Sequence, residues 1–348
     1  MHMRLKRLLF VTVAAIIGVS AFSTTAQEMF KQLSAKEIYV KPLAPLRIVG
    51  NLYYVGTYDL AVYLITTRDG NILINTGVNN STAPIRANIE ALGFKFSDTK
   101  VLLATHGHWD HVGAMAEIKR LTGAKMMMHG DDVALVESGG STDFRYPQGR
   151  GAIYEPVKVD RVLKDGDKVR LGDVELTLYH HSGHTKGASS FTYTLREGGR
   201  DYNVLIANMG SINPGVNVAA MPGFPNIAEA YAATFARQKQ MKPDIWVASH
   251  AAQFNMHKKY KPGDAYDPKR FVDPDGYVAK IAFYEKLYLD QLQKDRAAAG
   301  DPATGPLAVL QQQLVAWGAT VTAWWRGDLH DFIDGGDACG DLHRAADA

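Results

Sequence analysis

Short apolar runs that are rich in β-branched and aromatic residues recur through the first half of the chain, which is typical of β-strands. Between two of these runs, Asp69-Gly70 predicts a hairpin turn, because this dipeptide readily adopts the backbone of a tight turn. Another run, KVLLATHG, predicts a buried strand that ends at Gly107. The remaining runs are LYYVG at 52–56, AVYLITT at 61–67 and NILINTG at 71–77.

Helical periodicity alternates with these strands. IRANIEALG predicts a helix closed by Gly93, and GAMAEIKRLTG predicts a helix capped by Gly123. The second half repeats the alternation, so we expect an α/β fold of two packed mixed sheets with helices on the outer faces. Its segments are hairpin strands around Gly166 and Gly172, the strands ASSFTYTL, YNVLIANMG and DIWVASH, and the helices IAEAYAATFARQKQ and YVAKIAFYEKLYLDQLQK.

The first 26 residues have the pattern of an export signal. A basic start, MHMRLKR, precedes an apolar stretch that is short for a membrane span, and Thr24-x-Ala26 offers a small-residue cleavage site. Cleavage after Ala21 and an uncleaved anchor are the alternatives. We therefore expect a signal peptide at 1–26, one domain at 27–295, and a linker and tail of unknown role at 296–348, where DRAAAGDPATGP marks a change of composition.

Composition narrows the possible chemistry. The chain has 348 residues, 46% of them hydrophobic and 21% charged, as in a soluble globular enzyme. A formal net charge of +2 implies no nucleic-acid partner. The only cysteine is Cys339, so no intrachain disulfide is possible, and a metal site would have to use His, Asp or Glu.

The segment ATHGHWDHVG concentrates three of the 12 histidines of the chain within six residues. In an extended segment, residues two apart point the same way, so His106 and His108 can face one metal ion. Asp110 and His111 follow where the chain turns into the next helix, and can face a second ion. The pattern predicts a site for two ions.

A zinc site needs at least three protein ligands and an open water position, so each ion requires a distant ligand. His184, in HSGHTKGA, and His250, in ASHAAQ, both follow predicted strands. His180 and His181 compete with His184, but LTLYHH still has the pattern of a strand, whereas Gly183 and its neighbours predict the loop beyond it.

These motifs, HGHWDH, GHT and SH in that order, resemble those of the metallo-β-lactamase superfamily, and the resemblance extends from about Leu46 to Gln293. Within it, the chain looks like a class B β-lactamase of subclass 3, with an αββα sandwich. The resemblance implies two Zn²⁺ per chain. Carried over residue by residue, the first zinc is held by His106, His108 and His184, and the second by Asp110, His111 and His250.

The segment ANMGSINPG, Ala207–Gly215, resembles the one that supplies a cysteine ligand in the first β-lactamase subclass. Met209 stands at that position, and we expect it to pack, since a thioether is a poor ligand for zinc. Ser211 matches a serine that holds the substrate carboxylate, with an ordinary loop hydroxyl as the alternative. Val216 stands where some subclass-3 enzymes have a tyrosine, so the first zinc or Asn217 would have to polarise the scissile carbonyl.

Two further positions depart from the family pattern. Asn75 and Asn208 stand where superfamily members often carry aspartate, which would loosen the support of the metal ligands. The glycine-rich loop Ser138–Gly151 includes Phe144, which we expect to form a wall of the substrate groove; a plain surface loop is the alternative.

The resemblance implies zinc-dependent hydrolysis of the β-lactam amide bond of penicillins, cephalosporins and carbapenems, and hence antibiotic resistance. A hydroxide held by the two zinc ions would attack the carbonyl, with Asp110 as the catalytic residue that orients it. The alternatives are a thioester or lactone hydrolase of the same superfamily and a non-catalytic periplasmic zinc-binding protein. We expect a periplasmic monomer with a small-molecule β-lactam as its partner, and no membrane contact after signal cleavage.

Overall fold

The computed structural model describes residues 37–146 and 151–300. The predicted export signal at 1–26, four residues of the glycine-rich loop and the tail from residue 301 onwards lie outside the described residues. The signal and the tail therefore stay predictions.

A seven-stranded sheet occupies the first half of the chain, with its strands in sequence order from β1 to β7. The first four strands form an antiparallel meander, and β4 to β7 run parallel. The predicted hairpin at Asp69-Gly70 is confirmed, since it joins β3 to β4. The strands are β1 Leu46–Val49, β2 Leu52–Tyr54, β3 Tyr63–Thr67, β4 Gly70–Ile74, β5 Thr99–Leu103, β6 Lys125–His129 and β7 Arg161–Leu163.

A five-stranded sheet follows, in the order β12-β11-β10-β9-β8. Its neighbouring strands are antiparallel except for β11 and β12, which run parallel. The strands are β8 Lys168–Leu171, β9 Val174–His180, β10 Ser189–Glu197, β11 Arg200–Ala207 and β12 Ile245–Ala248.

Eight α-helices are found among the described residues, and the predicted caps Gly93 and Gly123 both adopt the left-handed backbone. Three 3₁₀ turns lie between them, at Phe96–Asp98, Gly130–Asp132 and Ala251–Phe254. The helices are α1 Glu37–Val40, α2 Thr82–Ala91, α3 Trp109–Val112, α4 Met115–Thr122, α5 Val133–Glu137, α6 Ile227–Gln238, α7 Met256–Lys259 and α8 Pro274–Ala298.

Both faces of the first sheet are buried, which explains why its strands are continuous apolar runs. Tyr63 and Ile65 of β3 point into the core shared with the second sheet, whereas Val62 and Leu64 point into a core shared with Ile85 of α2. Burying one such aliphatic side chain contributes about 1.5–3 kcal/mol to folding. The expected sandwich of two sheets with outer helices is confirmed.

The strand pairing predicted around Gly166 is wrong. β7 does not pair with β8 across that glycine but lies parallel to β6 in the first sheet, while β8 pairs with β9 in the second. Gly166 has φ +81°, so a turn does form there. The turn carries the chain from one sheet to the other, and local sequence cannot distinguish such a crossing from a hairpin.

The last helix is longer than predicted. It continues to Ala298, into residues assigned to the linker, because no helix-breaking residue precedes Gly300, which has φ +72°. The chain divides into two units, Met1–Leu292 and Gln293–Ala348, and the twelve strands found among the described residues lie in the first. Within the described ranges, every helix is too short or too polar to cross a membrane.

Candidate metal centre

Four of the predicted ligands lie immediately beyond β5, at the edge where the parallel strands of the first sheet end. His106 and His108 are on the loop that leaves the strand, and Asp110 and His111 are on the first turn of α3. All three histidines are at least 95% buried. Gly107 is required between the first two, since a Cβ there would lie 2.8 Å from a side-chain carbon of Leu135.

His106, His108 and His184, which we name the first-ion group, bring their rings together. The ring centroids are 4.6–4.9 Å apart, and the rings are steeply inclined to one another. Nδ1 of His108 lies 3.1 Å from Nε2 of His184. Ligands about 2.0–2.1 Å from a tetrahedral zinc ion are roughly 3.3 Å apart, so this spacing suits two ligands of one ion.

Asp110, His111 and His250, which we name the second-ion group, lie beside the first. Oδ2 of Asp110 is 3.5 Å from Nε2 of His111 and 3.6 Å from Nε2 of His250. One carboxylate oxygen thus faces two imidazole nitrogens. The ring of His111 lies 4.3 Å from that of His106, so the two groups are adjacent.

The protonation states of these side chains, like their spacing, are suited to metal binding. Burial holds the pKa of His106 well below its usual value and lowers the pKa of His111 and of His184 to about 4. These imidazoles are therefore neutral at pH 7, as metal ligands must be. Nε2 of His106 is buried without a hydrogen-bond partner, which is costly unless it meets an ion. Burial would raise the pKa of Asp110, but His111 and His250 hold it below its usual value.

Two distant ligands are oriented by a hydrogen bond on the far side of the ring. Nδ1 of His184 donates to the backbone oxygen of Ser211 at 2.7 Å. Nδ1 of His250 donates to Oδ2 of Asp59 at 2.9 Å. Each bond places the proton on Nδ1 and leaves Nε2 as the ligand atom. The sequence analysis did not predict the role of Asp59. It is a single acidic residue in a loop, 191 positions before His250.

A buried aspartate that the sequence analysis also missed joins the two histidine loops of the first-ion group. Asp132 accepts hydrogen bonds from the backbone nitrogens of Gly107 and Gly187, at 2.9 and 2.8 Å, and from the hydroxyl of Thr185 at 2.6 Å. Burial raises its pKa, and the three donors oppose that rise. Because Gly107 and Thr185 adjoin ligands, Asp132 is a positioning residue.

His108 has a carboxylate on its far side, and an aromatic pair flanks His250. Oδ2 of Asp143 lies 3.6 Å from Nε2 of His108 and is paired with Arg145 at 2.6 Å. The ring of Tyr39, on α1, lies 5.9 Å from that of Trp109 and 6.0 Å from that of His250. None of these contacts follows from a local motif, so sequence patterns alone could not predict them.

The two asparagines that depart from the family pattern contact the first ligand loop. Oδ1 of Asn75 accepts from the backbone nitrogen of Thr105 at 2.9 Å, and its φ of +64° is one that asparagine tolerates. The amide nitrogen of Asn208 lies 2.9 Å from Nδ1 of His106 and 3.2 Å from the backbone oxygen of Thr105. Binding an ion through Nε2 of His106 leaves its proton on Nδ1. The amide oxygen of Asn208 must then face the ring, which requires the amide group to rotate by half a turn. This rotation breaks the hydrogen bond from the amide nitrogen to the backbone oxygen of Thr105.

Met209 is 2% exposed and belongs to the core between the sheets, in agreement with the packing role expected from the sequence. Val216 is also buried in that core. The segment 207–215 therefore directs no carboxylate at the two groups.

The three residues predicted to bind substrate are placed as follows. Oγ of Ser211 lies 3.2 Å from Nδ1 of His184, at the rim of the first-ion group. Oδ1 of Asn217 accepts from the backbone nitrogens of Ala219 and Ala220 and so caps its own turn. Phe144 is 92% buried, with its ring 5.3 Å from that of Phe224. Their binding of substrate stays a prediction.

The competing histidines lie elsewhere. His181 is buried among polar side chains, with Nδ1 2.7 Å from the hydroxyl of Ser190, and burial lowers its pKa to about 3. His180 stacks on His129 at a ring distance of 3.8 Å. The choice of His184 thus agrees with the geometry.

Comparisons with known proteins agree with this centre. A family model described as the metallo-beta-lactamase superfamily matches residues 58–197. A class B3 di-zinc metallo-beta-lactamase, LRA-12 from an Alaskan soil metagenome, is 48% identical, with 74% of this chain and 97% of that chain covered and a TM-score of 0.72. A beta-lactamase from Chitinophaga pinensis is 44% identical, with the same coverage and TM-score.

Curated sequences match over shorter stretches. A hydroxyacylglutathione hydrolase of Jannaschia sp. is 31% identical over 112 residues, which are 32% of this chain and 34% of that protein. The chain spans less than half of the length of the first curated relatives that it matches. The similarity to solved structures, by contrast, extends over nearly their whole length.

Proposed function

The chain belongs to the metallo-β-lactamase superfamily and groups with its class B3 members, and we propose that it is a zinc-dependent β-lactamase. In this proposal it hydrolyses the amide bond of penicillins, cephalosporins and carbapenems and holds two zinc ions, one in each ion group. Its class as a metal-dependent hydrolase of this superfamily follows from the similarity itself.

One observation supports a β-lactam substrate: within the described residues, the segment 207–215 contains no carboxylate. Thioester and lactone hydrolases of the superfamily usually place an aspartate there, between the two ions. Here Met209 faces the core and Asn208 faces His106. The second-ion group is left with one carboxylate ligand, so an ion there keeps more positive charge and open positions for a substrate carboxylate and a departing amide nitrogen.

Zinc, when bound, lowers the pKa of a coordinated water toward about 7 and polarises a carbonyl oxygen. Asp110 presents one oxygen to the two imidazoles of its group and keeps a second oxygen to orient the attacking water. Burial keeps His106 and His184 neutral at pH 7, so these two imidazoles bind without adding charge. Hydrogen bonds to Asp59 and to the backbone oxygen of Ser211 fix the ring orientations of His250 and His184.

We place the substrate over the rim formed by Ser211, with its carboxylate near that hydroxyl and its carbonyl near the first-ion group or Asn217. Phe144 supports this wall from below, through its packing on Phe224. Export by residues 1–26, a periplasmic location and action as a monomer in antibiotic resistance complete the proposal, because the periplasm is where β-lactams meet their targets.

One set of assays separates the three candidate functions. Purified protein starting at Gln27, supplied with zinc, is incubated with a carbapenem, a cephalosporin and a glutathione thioester, and absorbance is followed. Hydrolysis of the β-lactams that chelation abolishes and zinc restores is expected. Faster cleavage of the thioester would favour the activity that the Jannaschia relative's name describes. No turnover by zinc-loaded protein would leave a binding protein.

Met209→Asp sharpens this test. The side chain of Met209 lies in the core, so a carboxylate at this position has to turn toward the second ion. There it should tighten that ion and reduce β-lactam turnover by about tenfold or more, since it neutralises charge needed by the substrate. Met209→Leu is the matched control, because it keeps an apolar side chain of similar volume and should retain turnover. Unchanged β-lactam turnover in Met209→Asp with tightly bound zinc would contradict the argument from charge.

A further inference from the structure

A second cluster of metal-binding side chains lies outside the centre. His129 ends β6, Asp131 lies in the 3₁₀ turn that follows, and His180 ends β9. One ligand atom from each lies within 4.8 Å of the others. β6 and β9 belong to different sheets, so the cluster, which we name the outer cluster, bridges the sandwich.

We propose that the outer cluster binds a divalent transition-metal ion of the zinc type, distinct from the ions of the catalytic centre. Two imidazoles and one carboxylate match the ligand preference of zinc, copper and nickel rather than that of calcium or magnesium. Oδ2 of Asp131 lies 3.8 Å from Nδ1 of His129 and from Nε2 of His180. Ligand atoms of one zinc ion are about 3.3 Å apart, so a contraction of roughly 0.5 Å closes the site.

The site can form at a small structural cost. The two rings are stacked at an interplanar angle of 11°, so one of them must turn about its Cβ–Cγ bond to share an ion. His180 has that freedom, because its side chain is 26% exposed and only its bond to the backbone oxygen of Lys186 restrains Nε2. Nδ1 of His129 accepts a hydrogen bond from the backbone nitrogen of Asp131 at 3.3 Å, and an ion on that atom would replace this bond as well.

The surroundings leave a coordination position open. Asp131 is 57% exposed, and a cleft of about 640 Å³ adjoins it and His180. Water can reach the ion from this cleft, and Lys186 and Arg237 at its wall would favour an anionic fourth ligand. An ion bound here would join the ends of β6 and β9 and so hold the two sheets together.

The chain offers a matched control in His257. This histidine stacks on Tyr58 at 3.9 Å and 13° and donates through Nε2 to the backbone oxygen of Tyr58 at 2.7 Å. It reproduces the stacking and the hydrogen bond of His180, but among the described residues it belongs to no group of three metal-binding side chains. His257→Ala therefore measures what the loss of one stacked histidine does by itself.

The test counts zinc. Wild-type protein, His129→Ala, His180→Ala, Asp131→Asn and His257→Ala are equilibrated at fixed free zinc and analysed by plasma mass spectrometry. The histidine variants of the outer cluster should hold one zinc per chain fewer than the wild type and His257→Ala, whatever the centre holds. Asp131→Asn should bind this ion about tenfold more weakly, since it loses a charged ligand. Equal zinc content in all five proteins would overturn the proposal.

A second measurement needs no variant. In wild-type protein, zinc should slow the modification of His129 and His180 by diethyl pyrocarbonate, while His257 keeps its rate. Hydrolytic activity should be unchanged in the outer-cluster variants, so failure of this proposal is distinguishable from failure of the proposed function. Modification of His129 and His180 at the same rate with and without zinc would contradict it.

Discussion

The two ion groups lie side by side but differ in their ligands. The first-ion group consists of three imidazoles, supported by the amide of Asn208 and a backbone oxygen. The second-ion group contains the carboxylate of Asp110 and is supported by another, Asp59. The carboxylate nearest the first group, Asp143, is neutralised by Arg145.

This difference indicates that ions at the two positions would have different roles. A divalent ion among neutral ligands keeps its full charge for polarising a carbonyl, whereas one beside two carboxylates is held more firmly by electrostatic attraction. We therefore expect the second position to fill at lower zinc concentration than the first. The variants of the two ion groups below test this asymmetry.

The largest effect should come from removing a ligand of the first-ion group. His184→Ala should lose the first ion and roughly a thousandfold in kcat/KM, because metal polarisation supplies several kcal/mol at the transition state. His180→Ala and His181→Ala should keep the metal of the centre. If His181→Ala empties the first position and His184→Ala does not, the assignment of the loop is wrong.

Asp59→Asn should weaken the second position alone. It leaves Nδ1 of His250 without a charged acceptor, and losses of such support cost about 10–100-fold in metal affinity. Zinc titration monitored by competition with a coloured chelator measures both positions. An equal loss at both positions would show that Asp59 stabilises the whole centre rather than His250.

Asn208→Asp should make the two groups more alike. The carboxylate would accept the Nδ1 proton of His106 without the half-turn that the amide needs, and should tighten the first ion by about tenfold. Asn75→Asp is the control, since Asn75 contacts the backbone of Thr105 rather than a ligand ring. Weaker zinc binding by Asn208→Asp than by the wild type would contradict this account of His106.

The smallest effect concerns a buried histidine outside the centre, whose pKa is lowered first by burial and then by the nearby charge of Arg237. His181 has a folded-state pKa of about 3 against about 6.5 when unfolded, so between these values the unfolded chain binds more protons. Its contribution to the pH dependence is absent above pH 6.5, and the free energy of unfolding falls as the pH drops from 6.5 to 3. The slope is at most about 1.4 kcal/mol per pH unit.

His181→Gln should flatten the pH dependence of stability, measured by urea unfolding in chelator so that metal ions do not contribute. An unchanged slope in the variant would assign the pH dependence to the ligand histidines instead. The comparison separates what burial does to an imidazole from what a metal ion does.

The parts of the centre that could be predicted are those encoded by local spacing. His106, His108, Asp110 and His111 follow one buried strand, so strand geometry alone brings them to one edge. His184 needed the inference that LTLYHH is strand and its sequel is loop, and β9 does end at His180.

The parts that escaped prediction depend on the packing of distant segments. Asp59 and Asp143 are single carboxylates in loops, and Asp132 ends a 3₁₀ turn, so only the tertiary fold brings them to the histidines. The pairing of β7 escaped for the same reason, because Gly166 begins a crossing between sheets rather than a hairpin. Alternation in sequence identifies a strand but not its partner.

The bond between Asp59 and His250 has a consequence for the order in which the protein matures. The two residues are 191 positions apart, and an isolated bridge between Leu60 and His250 joins the same two segments. Closing so long a loop is slow compared with forming local structure. The second-ion group cannot be complete until nearly the whole of the described chain has been synthesised and folded, so an ion held by all three of its side chains would report that the native state has been reached.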